Sequence, residues 1–179
     1  MTFAFSENRA GYTSIGGIDT GISTPNAAAG VTIPSPPMVL GQVVRGVDPV
    51  LGEGQFILLK GVAATQVGSC VIWDGSFATT LCPATANQAR PVAFAMSANV
   101  SPTSYAWYQV AGQVSALKDT GNAVNANVAV GIVSTGAIGN TAAGLEIEGA
   151  RSTNTGTVAA GTTVLPIYCD HPNLQGRIT

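Results

Sequence analysis

From residue 39 onward, short apolar runs alternate with turn-forming clusters about every 8–12 residues, the rhythm of an all-β barrel or sandwich. The runs are QVVRGV, FILLKGVA, SCVIWDGSFATTL, PVAFAMSA, YAWYQVAGQVSAL, ANVAVGIVS, GLEIEGA, TGTVAAG and TTVLPIYC; the turns include GEGQ, KDTGN and TGAIGN. Two-residue alternation sets Tyr105, Trp107 and Gln109 against Ala106, Tyr108 and Val110, and Leu145 and Ile147 against Glu146 and Glu148. No segment carries a helical stripe, although one helical turn fits PATANQA. No repeat appears, which argues against a solenoid. The expected fold is all-β: a compact barrel or sandwich of short strands spanning 39–179, preceded by an extended irregular N-terminal arm at 1–38.

The segment CVIWDGSFATTLC, from Cys70 to Cys82, predicts a β-hairpin, because Asp-Gly suits the positive φ angles of a type I′ turn. Centring that turn on Asp74 and Gly75 pairs Trp73 with Ser76, Ile72 with Phe77 and Val71 with Ala78. Cys70 then faces Thr79, and Cys82 lies beyond the paired region. In that register the thiols are too far apart for a disulfide. The spacing also lacks the additional Cys or His of a zinc site. Both are expected to act as small buried hydrophobes.

Residues 1–38 show neither a period of 2 nor one of 3.6, and Pro34, Pro36 and Pro37 favour extended backbone. So long a stretch is either a disordered terminus or an arm laid across another chain. The scattered anchors Phe3, Phe5, Tyr12, Ile15, Ile18, Val31 and Ile33 favour the arm.

Composition narrows the function. Charged residues make up 9 % of the 179-residue chain, against about 25 % in ordinary domains, and 22 residues are glycine. A net charge of −2 with no basic run gives no footprint for nucleic acid. The surface must be built from Thr, Ser, Asn, Gln and Ala, which suits a protein largely covered by partners. No signal peptide and no membrane-length apolar run is read in the sequence, so no membrane partner is expected. Three cysteines, an odd number, fit synthesis in a reducing cytoplasm.

Catalytic groups are sparse. The one histidine, His171, lies in YCDHPN beside Cys169 and Asp170. Cys169 and His171 at i, i+2 share a face of a regular strand, so a thiolate pair or metal site is conceivable there, but a strand end entering a Pro-Asn turn is the simpler reading. Glu146 and Glu148 read as a solvated outer face. The stretch around Asp119 lacks an EF-hand ligand pattern, and GEGQFILLKG lacks a phosphate-binding motif. RGVD at Arg45 to Asp48 reads as a turn, and Asn99-Val100-Ser101 as a formal glycosylation sequon. The aromatics of YAWYQV suit a core or an intersubunit contact better than a sugar platform. No catalytic residue, cofactor or metal is expected.

The ordered pieces VLGQVVRGV, VGSCVIWDGSF, PATANQARPVAFAM and YAWYQVAGQVSAL, spanning Val39 to Leu117, resemble the capsid decoration (cement) proteins of tailed bacteriophages. That resemblance implies a small β domain bound to the outside of a mature head, often as a trimer, clamping adjacent major capsid proteins. It implies a location on the virion surface after synthesis in the host cytoplasm. The seven apolar residues of the arm become contacts to the major capsid protein or to sister subunits. A tail, fibre or spike component and a carbohydrate-binding β module are the alternatives.

Overall fold

The computed structural model describes residues 4–5, 39–98 and 105–176. Among them the protein is all-β: eleven strands form one antiparallel sheet that curls into a half-barrel. The strands are β1 (Ala4–Phe5), β2 (Val43–Asp48), β3 (Gly52–Lys60), β4 (Cys70–Trp73), β5 (Thr79–Leu81) and β6 (Val92–Ala95). They continue with β7 (Tyr105–Leu117), β8 (Ala129–Ser134), β9 (Ala137–Asn140), β10 (Glu146–Ser152) and β11 (Val164–Leu174).

Strand β7 organises the sheet. One edge pairs with β3 from Tyr105 to Ala111. The other edge meets β6 at Tyr108 and Gln109, then passes to β11 from Ala111 to Leu117. The sheet therefore forks: β6, β4 and β5 form one branch, while β11, β10, β8 and β9 form the other. On the undivided side, β3, β2 and β1 complete the order. The far branch curls back, with Asp119 N donating to Ile138 O at 2.9 Å.

At the fork the strand is interrupted. Gln109 lies opposite Phe56 and Ala111 opposite Gln55, so Val110 is an extra residue, a β-bulge. The Gln109 amide holds the bulge, its Nε2 donating to Ala111 O at 3.1 Å and Gln113 O at 3.0 Å. Two glycines make room for it. A Cβ on Gly54 would come within 3.1 Å of that Nε2, and one on Gly112 within 3.2 Å of it and 2.5 Å of Glu53 O.

Packing follows from the alternation. Before the bulge, Trp107 packs with Phe56, Leu58 and Met96 on one face. Ala106, Tyr108 and Val110 pack with Ile57, Leu59, Val71 and Ala93 on the other. Beyond it, Val114 and Ala116 join the largest cluster, with Phe94, Ile132, Ile147, Leu165 and Ile167. Strands buried on both faces read as continuous apolar runs, as FILL and AWY do.

Several local expectations are corrected. RGVD is not a turn but most of β2, and GEGQ opens β3. The turn sits between them because Asp48 Oδ1 accepts from Val50 N at 2.7 Å and Leu51 N at 2.9 Å. TGAIGN is a turn only at Thr135 and Gly136, the latter at φ +74°; the rest is β9. TGTVAAG contributes only a bridge from Val158 to Val124. PATANQA holds no helical turn, with Asn87 and Ala89 at positive φ. YCDHPN is not a strand end, since β11 runs on to Leu174. Its Pro172 is tolerated beside the bulge at Gly149, where the β10–β11 register shifts.

Gly112, at φ +100° two residues beyond the bulge, and Gly161, at φ +84° with nothing within 4 Å of an added Cβ, separate strain from collision. Gly161→Ala is expected to cost about 1 kcal/mol of backbone strain. Gly112→Ala adds a clash with Glu53 O, and urea unfolding is expected to show at least about 3 kcal/mol lost.

Candidate interaction surface

Of the arm residues expected to make contacts, Phe3, Tyr12, Ile15, Ile18, Val31 and Ile33 lie outside the described residues. Phe5 lies in β1, where its backbone pairs with Gly46, and Ala4 pairs with Val47. The N-terminal segment thus adds a strand to the β2 edge of its own sheet. The sequon at Asn99 to Ser101 also lies outside the described residues.

The β2 edge is unusually apolar for solvent-facing backbone. Val43, Arg45 and Val47 point outward in alternation, and the two valines are 49 % and 45 % exposed. Val39 and Val50 flank them, still more exposed. Arg45 and Glu53 form a surface ion pair at 3.5 Å, worth little energetically. They line one wall of a shallow groove of about 270 Å³, with Tyr168 and Asp170 on the other. Sequence reasoning missed this surface because exposed Val43 and half-buried Val44 are alike in sequence; only the register against β3 separates them.

The structure does not bring Cys169 and His171 together. Cys169 is buried, its Sγ donating to Gly112 O at 3.5 Å, while the irregularity in β11 leaves His171 exposed. Burial, then the neighbouring Asp170 charge, pushes the Cys169 thiol up to about 12, so it is a neutral thiol near pH 7. His171 Nδ1 lies 2.8 Å from Asp170 Oδ1 in an exposed pair. Glu148 is exposed and Ile147 buried, as alternation predicts.

Asp119 organises a loop. Its Oδ1 accepts from Gly121 N at 2.8 Å and its Oδ2 from Ser134 Oγ at 2.9 Å. Buried Lys118 donates Nζ to the carbonyls of Asp119 and Asn122. Among the described residues no group of three metal-ligating side chains occurs. Trp107 and Tyr108 are core residues rather than an exposed shelf.

The Cys70–Cys82 hairpin departs most from expectation. Trp73 pairs with Thr79, Ile72 with Thr80 and Val71 with Leu81, so Cys70 faces Cys82. The turn takes five residues, Asp74 to Ala78, instead of two. Asp74 draws it in by accepting at Oδ1 from Ser76 N, Ser76 Oγ and Ala78 N, and Phe77 adopts φ +60°. Both thiols are buried, 2.9 Å apart, and Cys82 N donates to Cys70 O at 3.0 Å. Gly136 clasps the pair: its N donates to Cys82 O and its carbonyl accepts from Cys70 N, each at 2.9 Å. Burial first, then the contact with Cys82, pushes the Cys70 thiol well up.

Compared with family models, curated proteins and solved structures, the chain matches none.

Two pH limbs follow. The Cys169 contribution is complete below about pH 8.5, where the unfolded thiol begins to ionise, and is lost as pH rises through its folded value of about 12. Cys169→Ala is expected to flatten the alkaline limb of a melting-temperature profile; an unchanged limb would assign that loss to other groups. Hydrogen bonds from Ser76 and Ala78 hold the Asp74 carboxyl below its usual range. Its contribution is present above the ordinary carboxylate pKa and is lost as pH falls through the lowered folded value. Asp74→Asn is expected to lower the melting point at pH 7 and to narrow that deficit below pH 3, a pattern that thermal scans at both pH values would check.

Proposed function

We propose that the protein is a non-catalytic viral structural protein that binds the outer surface of a tailed-phage capsid and cements the lattice of major capsid proteins. The observation that carries this reading is the strand β1, by which the N-terminal segment adds to the sheet edge at β2. Added strands gain backbone hydrogen bonds, and side chains on alternate positions supply specificity. Beside that edge, Val39, Val43, Val47 and Val50 offer apolar surface to the capsid or to a sister subunit. Phe3, Phe5, Tyr12, Ile15, Ile18, Val31 and Ile33 are the proposed anchors of the arm. The low charge and the resemblance over Val39 to Leu117 point the same way. Many copies on one shell, each a homo-oligomer such as a trimer, turn weak contacts into firm ones.

Co-sedimentation with undecorated mature heads tests the reading. The full chain is expected to saturate the heads, and a chain lacking residues 1–38 to bind at least tenfold more weakly. Absence of binding by the full chain to heads of its own phage would remove the capsid reading. Val43→Ser combined with Val47→Ser alters two half-exposed side chains, so folding is retained. Binding is expected to weaken by about tenfold if both valines are buried at the contact.

A further inference from the structure

We infer that Cys70 and Cys82 are a disulfide-forming pair, an oxidation site that locks the β4–β5 hairpin. The inference stands independently of the capsid reading.

Register is the first argument. The β4–β5 pairing continues so that Cys70 and Cys82 lie directly opposite one another, with Cys82 N bonded to Cys70 O. The reciprocal bond is diverted through Gly136; opposed residues at such a site of an antiparallel pair have Cα atoms about 5.5 Å apart, inside the range a disulfide spans. Direction is the second. Both side chains point into the same core cluster, and their sulfurs touch at 2.9 Å. Fixation is the third. Gly136 bonds the backbone of both cysteines, so the pair is held in place from outside its own hairpin. Cys169 belongs to the same cluster, but its sulfur donates to Gly112 O.

The oxidant is a low-molecular-weight disulfide of the glutathione type. One cysteine thiolate attacks a sulfur of that disulfide, forming a mixed disulfide and expelling one small thiolate. The second cysteine thiolate attacks the protein sulfur of the mixed disulfide, forming the Cys70–Cys82 bond and expelling the second small thiolate. The protein dithiol loses two electrons and two protons; the small disulfide gains both and leaves as two thiols. Both sulfurs are fully buried, so exchange runs through the opened hairpin or the unfolded chain and is slow in the closed state. Once formed, the bond closes a loop of a dozen residues in the unfolded ensemble.

The test uses the unmodified chain. Purified under reductant, it is incubated with oxidised glutathione in water and at the urea midpoint, then diluted to refold, alkylated and digested with trypsin. Trypsin leaves Cys70 and Cys82 in one peptide and Cys169 in another. The expected result is a Cys70–Cys82 peptide lighter by two hydrogens and free of alkylation, with Cys169 alkylated. It is expected to form faster at the urea midpoint than in water, and to raise the unfolding temperature by about 5–10 °C. Alkylation of both cysteines at the urea midpoint as well as in water, a bridge to Cys169, or a bridged form that melts below the reduced one would overturn the inference. Cys169→Ala, carrying the pair alone, is expected to give the same bridged peptide and the same rise.

Discussion

The bulge at Val110 is the constraint on which the rest of the architecture depends. Strand β7 runs for thirteen residues and takes two successive partners along one edge. The bulge shifts the register of β7 against β3 between Gln109 and Ala111, and at the same place the opposite edge changes partner from β6 to β11. The Gln109 amide satisfies two carbonyls that the irregularity sets aside, inside a space that only glycines at 54 and 112 leave open. A buried polar side chain is costly without partners; here Nε2 finds two in the backbone it organises, while the buried Oε1 has none among the described residues. The fork of the sheet and the passage from one apolar cluster to the next both fall at this one local arrangement.

Much of the fold was legible because alternation and burial coincide where a strand sits between two others. YAWYQVAGQVSAL spans β7 from end to end, and QVVRGV and FILL mark the two strands beside the edge. Legibility failed where a single side chain chose the turn. Asp74 accepts three hydrogen bonds and widens the loop to five residues, where Asp-Gly alone suggests two. A register set by a side-chain acceptor cannot be read from propensity, and the error moved Cys82 from outside the hairpin to the place opposite Cys70. Similarly, Asp48 places the turn at residues 49–51, between RGVD and GEGQ, the two segments that read as turns in the sequence.

The interaction surface was legible only in part. The apolar content of residues 1–38 pointed to a partner, and the structure supplies the β2 edge that the first residues already use. The outward valines of β2 were invisible to a pattern reading, which expects apolar residues inside. An edge strand normally carries charge or proline against unwanted pairing. Here Arg45 stands nearly alone among valines, and the short β1 strand covers only part of the edge.

The Gly136 clasp also bears on the order in which the protein assembles and comes apart. Hairpins β4–β5 and β8–β9 are local and cheap to form, since each closes a short loop. The clasp forms only once a tight turn from one branch reaches a strand pair from the other, across a long stretch of chain. Such a contact is expected to form on the downhill side of the folding barrier. It would add little to the speed of folding and much to the height that unfolding must climb. In the shell role proposed above, exposed for long periods without renewal, the chain would depend on that second quantity, the lifetime of the native state.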